Sequence, residues 1–417
     1  MANIINFEMV GKLSLSKDSE KFHPYDVTEF SSGWIRRRLI FNVISGDNRH
    51  ALTVEGGSFK DGHGDIYLFS KSKTDENGKR IQGEKLTIPF KDRLTSPLLE
   101  DVAEFKKFII DLEVPNKRYV LKKAMEQNKD EGQISSEYIE FLGTDDIKAI
   151  EREYEQSNKK RREFITEWDY SEFIKKLIES EKYKNKLFKI IGTKEITYSD
   201  EKQRFYEKFI PTRIYLAKDD EEQKSIANMS LYYNSESLDS SSVDEKGKHY
   251  INGYVFQYDS TRKENIPCPL TVILPSVGDM ADDKEKRINS LYLKQFTIED
   301  SSWKELGIVV DILDGAQKVA ISEEDLTPFQ QDLIDLGETS LEQIAYENGG
   351  SLYGERIREN RFKGLAKGYS KGREDTAFED ENFTIKPIER ENEIKNRAEN
   401  ELEDNEDFDL FDDELEE

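Results

Sequence analysis

Aromatic and basic residues interleave along two stretches of this chain. In the first they are Trp34, Arg36, Arg38, Tyr67, Phe69, Lys71 and Lys73. In the second they are Tyr198, Phe205, Tyr206, Phe209, Arg213, Tyr215, Tyr254, Phe256, Tyr258, Arg262 and Lys263. A ring offers a flat surface on which an unpaired base stacks, at about 1–3 kcal/mol per base, and a neighbouring cation holds the phosphate beside it. The pattern points to binding of single-stranded nucleic acid without sequence readout. Strand alternation sorts the rings further. Along Phe205–Tyr215 the odd positions Phe205, Phe209, Arg213 and Tyr215 share one face, Tyr206 and Ile210 take the other, and Pro211 interrupts the ladder. One face of each strand has to be core, so about half of these rings are expected to be structural.

Other chemistry is missing. No glycine-rich loop leads into Lys-Ser or Lys-Thr, and there is no serine elbow or kinase signature. The four histidines are scattered, and Asp61-Gly-His63-Gly-Asp65 reads as a solvated loop rather than a metal site. A single cysteine, Cys268, excludes an internal disulfide and a cysteine-rich zinc site, which suits a reducing cytoplasm. No catalytic residue, metal or cofactor is expected. The first residues lack the basic and apolar regions of a signal peptide, and no apolar run reaches the ~18 residues of a membrane span, so a soluble cytoplasmic protein is expected.

The 417 residues are 36% charged and 35% hydrophobic, with a formal net charge of −25. That length allows two or three domains. The charge is uneven. Residues 1–270 are close to neutral, whereas 399–417 hold acids and no Lys or Arg, with Phe408, Leu410 and Phe411 among them. Such a block stays extended through self-repulsion, and its phenylalanines mark a short docking motif. Basic clusters stand at Arg36–Arg38, across 182–218 and from Arg356 to Arg373. Islands of this kind attract polyanions because screening confines charge effects to ~8–10 Å.

The elements that must position these residues are mostly strands. Alternation marks strands at Asn6–Ser16, Trp34–Ile44, Ala51–Val54, Asp65–Ser70 and Lys85–Phe90, a set that suggests a small barrel over residues 1–95. Residues 96–180 read as a helical connector, with helical spacing in Leu98–Leu112, Asp145–Trp168 and Asp169–Tyr183. Strands return at Lys186–Tyr198, Gln203–Leu216, Ser225–Tyr233, Tyr250–Tyr258, Pro269–Pro275 and Trp303–Leu313. The segment Gly192–Tyr198 matches Gly11–Lys17, and Phe205–Tyr215 matches Trp34–Phe41, which suggests a duplicated barrel over 181–315. Residues 316–374 read as helical, with Pro328 in a first turn and a capping box at Ser340 and Gln343. Residues 375–417 read as a disordered acidic tail. The fold class is α+β, mainly β, built on two small barrels of the OB kind.

The strands Lys186–Tyr198 and Phe205–Leu216, together with the acidic, phenylalanine-containing end, resemble phage-type single-stranded DNA-binding proteins built on OB folds. The resemblance covers residues 1–315 and 399–417. It implies a non-catalytic protein of DNA replication and recombination whose groove holds the strand. It further implies an acidic tail that recruits replication and recombination proteins, with Phe408, Leu410 and Phe411 docking, and that competes with DNA for the groove. Many such tails finish on an apolar residue, whereas this one ends Leu415-Glu416-Glu417. The alternative is a structural or interaction protein, a virion component or an acidic mimic of DNA.

Overall fold

The computed structural model describes residues 4–75, 78–238, 248–274, 282–318, 326–340, 344 and 353–385. Strand β1 (Ile5–Ser14) turns Ile5, Phe7 and Met9 into the core. After β2 (Tyr25–Glu29), strands β3 (Trp34–Ser45) and β4 (Asn48–Phe59) form a long hairpin. Next come β5 (Asp65–Phe69), β6 (Lys73–Thr74), β7 (Arg80–Ile81) and β8 (Lys85–Pro89), in which β5 pairs β8 and β6 pairs β7. Then follow β9 (Phe108–Asp111), α1 (Lys117–Glu131), α2 (Ser136–Leu142), α3 (Ile147–Lys159), β10 (Arg161–Phe164) and α4 (Glu167–Glu179). The chain returns to long strands with β11 (Phe188–Ser199), β12 (Arg204–Leu216), β13 (Lys224–Tyr233), β14 (His249–Asp259) and β15 (Glu264–Leu274). It continues through α5 (Asp283–Phe296), β16 (Lys304–Lys318), α6 (Pro328–Asp335), β17 (Tyr353–Leu365) and β18 (Glu374–Asp375).

A 14-stranded sheet carries the molecule, and its pairings close twice. β1 pairs β3, β3 pairs β4, β4 meets β12 in parallel, β12 pairs β11, and β11 returns to β1. β13, β14, β15, β17 and β16 repeat this circuit strand for strand, again with one parallel junction, Ile273 beside Arg361. In each circuit a helix, α4 or α5, lies between the third and fourth strands. β1 joins the two, because it pairs β11 on one edge and β13 on the other. It bends at Gly11 to reach β3, where a Cβ would lie 2.3 Å from the Ile44 carbonyl oxygen. One core runs through both rings and includes Phe7, Phe41, Ile190, Leu231, Val255 and Val310. Each such side chain contributes about 1.5–3 kcal/mol by leaving water.

Between the rings, Glu8 accepts from Lys189 at 3.0 Å and from Lys224 at 2.7 Å. Burial pushes its carboxyl up, but the two ammonium groups outweigh burial and leave it below the ordinary carboxylate range.

The strand pattern of the sequence is realised closely, and its grouping is not. The boundaries at 95/96 and 180/181 do not separate two sheets, since β11 and β12 complete the ring begun by β1, β3 and β4. The repeat therefore relates β1 to β13 and β3 to β14, two strands out of step with the match between Gly11–Lys17 and Gly192–Tyr198. Similar alternation on unrelated strands produced that match. Leu98–Leu112 is not a helix: it holds two 3-10 turns, Pro97–Glu100 and Glu104–Lys106, and then β9. The segment 316–374 is not wholly helical either. β17 lies within it, paired along β16 and touching β15, with Phe362 entering the core. Pro328 does stand in the first turn of α6, capped by Thr327 with Gln330. The tail expected from 375 onward is not disordered over 375–385, which hold the 3-10 turn Asp380–Phe383 and the buried Phe383, because aromatic packing anchors them to the sheet. Gln343 and residues 386–417, including Phe408, Leu410 and Phe411, lie outside the described residues. No helix among the described residues is long and apolar enough to cross a membrane.

Candidate nucleic-acid interface

Alternation along β3 separates two sets of side chains. Leu39, Phe41 and Val43 enter the core. Arg37, in phase with them, turns toward α4, stacks over the Trp168 ring at 3.8 Å and donates to Glu172 at 2.9 Å. Trp34, Arg36 and Arg38 therefore take the outer face. Across the register they meet Phe59, Gly57 and Glu55 of β4. Trp34 is 36% exposed, and its indole lies across Gly57, where a Cβ would sit 2.4 Å from the ring. Phe59 meets Trp34 edge-on at 5.1 Å and stacks on His63 at 4.0 Å. Arg36, its side chain 16% exposed, lies over the Phe30 ring at 5.8 Å, donates to Thr28 at 3.4 Å and pairs with Asp26 at 3.5 Å. Asp61 accepts from the His63 backbone, the largest of the effects holding its carboxyl below the ordinary range.

A second group of rings lies on the hairpin of β5 and β8. Leu68 and Ile88 form a small core with Val102 and Ile165, which turns Tyr67 and Phe69 to the opposite side. These two rings are 61% and 40% exposed. Lys85 sits 4.2 Å from the Tyr67 ring. The Ala103 amide donates to the Phe69 carbonyl and the Lys71 amide donates to the Asp101 carbonyl, each over a bond of 2.8–2.9 Å, and these backbone bonds draw the turn Glu104–Lys106 alongside the hairpin. Lys106 then lies 5.9 Å from the Phe69 ring and 5.6 Å from that of Phe105. Contacts of this length are cation–π contacts, worth about 0.5–1 kcal/mol when exposed. Lys71 is exposed beside them.

The remaining expected residues fall elsewhere. β12 carries a bulge opposite Ile191 and Gly192, so that Pro211 and Arg213 flank an extra residue, Thr212. Phe205 and Phe209 consequently pack against the core, with Phe209 5.4 Å from Phe7, while Ile214 takes over the inward positions and Arg213 and Tyr215 leave that face. Pro211 thus divides the shared face expected for these four. Tyr198 also packs on the core, and its hydroxyl donates to Gln203 at 2.8 Å. Phe256 is buried, and Tyr254 is partly buried beside it in a cluster of rings. Arg262, its side chain 4% exposed, is paired with Asp200 and with Asp259 and lies 5.5 Å over Tyr198. It ties two hairpin turns together and is a structural residue, because a cation enclosed by two carboxylates has little attraction left for phosphate.

Several cations of the basic clusters at 182–218 and Arg356–Arg373 are engaged within the protein. Lys186 pairs Asp219 at 2.9 Å, Lys189 pairs Glu8, and Lys194 pairs Glu207 at 2.8 Å. Lys363 pairs Asp311 at 2.8 Å, and Arg373 donates to three carbonyls at the end of α5. Sequence reasoning missed Phe59, Lys85, Phe105 and Lys106. The run Phe105-Lys106-Lys107 carries the aromatic-basic signal in plain view, but a helical reading of that segment hid it.

No known family model matches the chain, and no curated protein matches it. Among solved structures it is similar to a deletion mutant of the single-stranded DNA binding protein from Thermus aquaticus. The identity is 8% and the TM-score 0.27, with 78% of this chain and 98% of that chain covered.

Proposed function

We propose that the protein binds single-stranded DNA without sequence preference and without catalysis, and that each ring of strands is an OB-type barrel. In such barrels the second and third strands present the face that receives an oligonucleotide. β3 and β4 hold those places in the first ring. The observation that carries the reading is the set of exposed rings with adjacent cations on the hairpin and turn that follow β4: Tyr67 with Lys85, and Phe69 and Phe105 with Lys106. Rings of this kind accept any base, and the lysines follow the backbone. The acidic segment 399–417 is assigned to docking replication and recombination proteins through Phe408, Leu410 and Phe411.

A fluorescence titration with oligo-dT at two salt concentrations, beside a duplex of equal length, tests this function. Binding of oligo-dT that weakens steeply with salt, with little binding of duplex, is the expected result. Equal affinity for duplex, or no binding at low salt, would overturn it.

A further inference from the structure

The outer face of the second ring is covered. On β14, Ile251 and Val255 face the core, and the alternate residues Tyr254 and Phe256 join Tyr232 and Trp303 in a separate group of rings. The chain that follows β18 closes over this group. Phe383 lies flat against Trp303, with centroids 3.5 Å apart and planes at 17°, and meets Tyr254 at 5.1 Å. Phe378 packs on Tyr232 at 5.4 Å and on Phe256 at 5.1 Å. Asp380 accepts from the Trp303 indole at 2.8 Å, and Asp375 accepts from Lys304 at 2.7 Å. Residues 374–385 contain five acids and no Lys or Arg. The segment thus sets rings on rings and carboxylates on a cation and an indole N–H, the groups that bases and phosphates would engage.

Its seat is incomplete. A surface cleft of about 300 Å³ opens beside it, lined by Phe256, Pro267, Phe378 and Asn382. The backbone attachment is also slight, since β18 pairs β16 over two residues and Phe378 stays 37% exposed.

We propose that the outer face of β14, with Tyr232, Tyr254, Phe256, Trp303 and Lys304, is a second site for single-stranded DNA, and that residues 374–385 occupy it until a bound strand displaces them. The proposal rests on the function proposed above, because β14 and β15 hold in the second ring the places that β3 and β4 hold in the first. Occupation by the chain itself lowers the apparent affinity by the fraction of molecules in which the face is open.

Hydrogen exchange of the full chain, alone and saturated with short and long oligo-dT, tests the displacement. The long oligonucleotide is expected to protect β3 and β4 and to speed exchange at Thr376, whose amide donates to the Trp303 carbonyl. Protection of β3 and β4 with exchange at Thr376 unchanged or slowed would refute the second site and leave the first intact. No protection anywhere would refute the function itself. The double variant Phe378→Ala/Phe383→Ala is expected to bind long oligo-dT at least about fivefold more tightly, the lower end of usual coupling between sites. Unchanged or weaker binding by a folded variant would count against the proposal.

Discussion

Acidification should expose the cost of His50. Its ring is 1% exposed, lies 6.0 Å from the Phe209 ring, and has no hydrogen-bond partner on either nitrogen among the described residues. Burial lowers its pKa from 6.5 to about 4; Asp314 on β16 opposes that shift and Lys194 on β11 adds to it. The unfolded chain therefore takes up a proton near pH 6.5 that the folded protein refuses until about pH 4. Stability from this group is full above pH 6.5 and is lost as pH falls toward 4. At about 1.36 kcal/mol per pH unit, the loss is about 3 kcal/mol. Urea unfolding from pH 7 to pH 4 should compare the protein with His50→Leu. Glu8, Glu113 and Glu163, whose carboxyls also lie below their ordinary values, destabilise both proteins alike on acidification. The native protein should lose about 3 kcal/mol more than the variant. Equal losses would refute the assignment of a buried, neutral imidazole.

Further predictions concern the outer face and the core. Arg37→Ala should destabilise the protein by about 1–3 kcal/mol through its lost bonds to Trp168 and Glu172, measured by urea midpoint. Lys85→Ala and Lys106→Ala should instead each reduce the salt slope of oligo-dT binding by about 1, read from titrations at several salt concentrations. Gly57→Ala should push the Trp34 indole off the sheet, shifting tryptophan emission and weakening oligo-dT binding by a few-fold, on the order of 1 kcal/mol. The buried Cys268 thiol, pushed up to about 12 by burial, should react with a thiol reagent only as fast as the protein unfolds.

The strands were legible because alternation is a local signal: Ile5, Phe7 and Met9 on β1 and Leu39, Phe41 and Val43 on β3 declare their buried face without reference to the rest of the chain. Closure of the rings was not legible. It depends on parallel junctions such as Phe209 beside Leu52, and nothing local records which distant strand will meet β4. Consequently β11 and β12 read as the start of a second unit although they finish the first. The site was legible in part for the same reason. Trp34, Tyr67 and Phe69 alternate against known core residues, so their outward direction follows from sequence. Tyr254 and Phe256 also alternate outward, but a segment more than a hundred residues later covers them. Arg262 reads as a phosphate ligand in sequence because one of its two carboxylate partners, Asp200, is 62 positions away, and the other, Asp259, is not distinguished from the many acids around it.

The central claim is tested most directly by replacing the exposed rings of the hairpin and its neighbouring turn. Tyr67→Ala, Phe69→Ala and Phe105→Ala, combined in one protein, remove large surface rings and leave the core of Leu68, Ile88, Val102 and Ile165 in place. Affinity for oligo-dT should fall at least about tenfold, since each stacked base is worth about 1–3 kcal/mol, while the thermal midpoint stays near that of the native protein. Undiminished affinity in the folded triple variant would contradict the account.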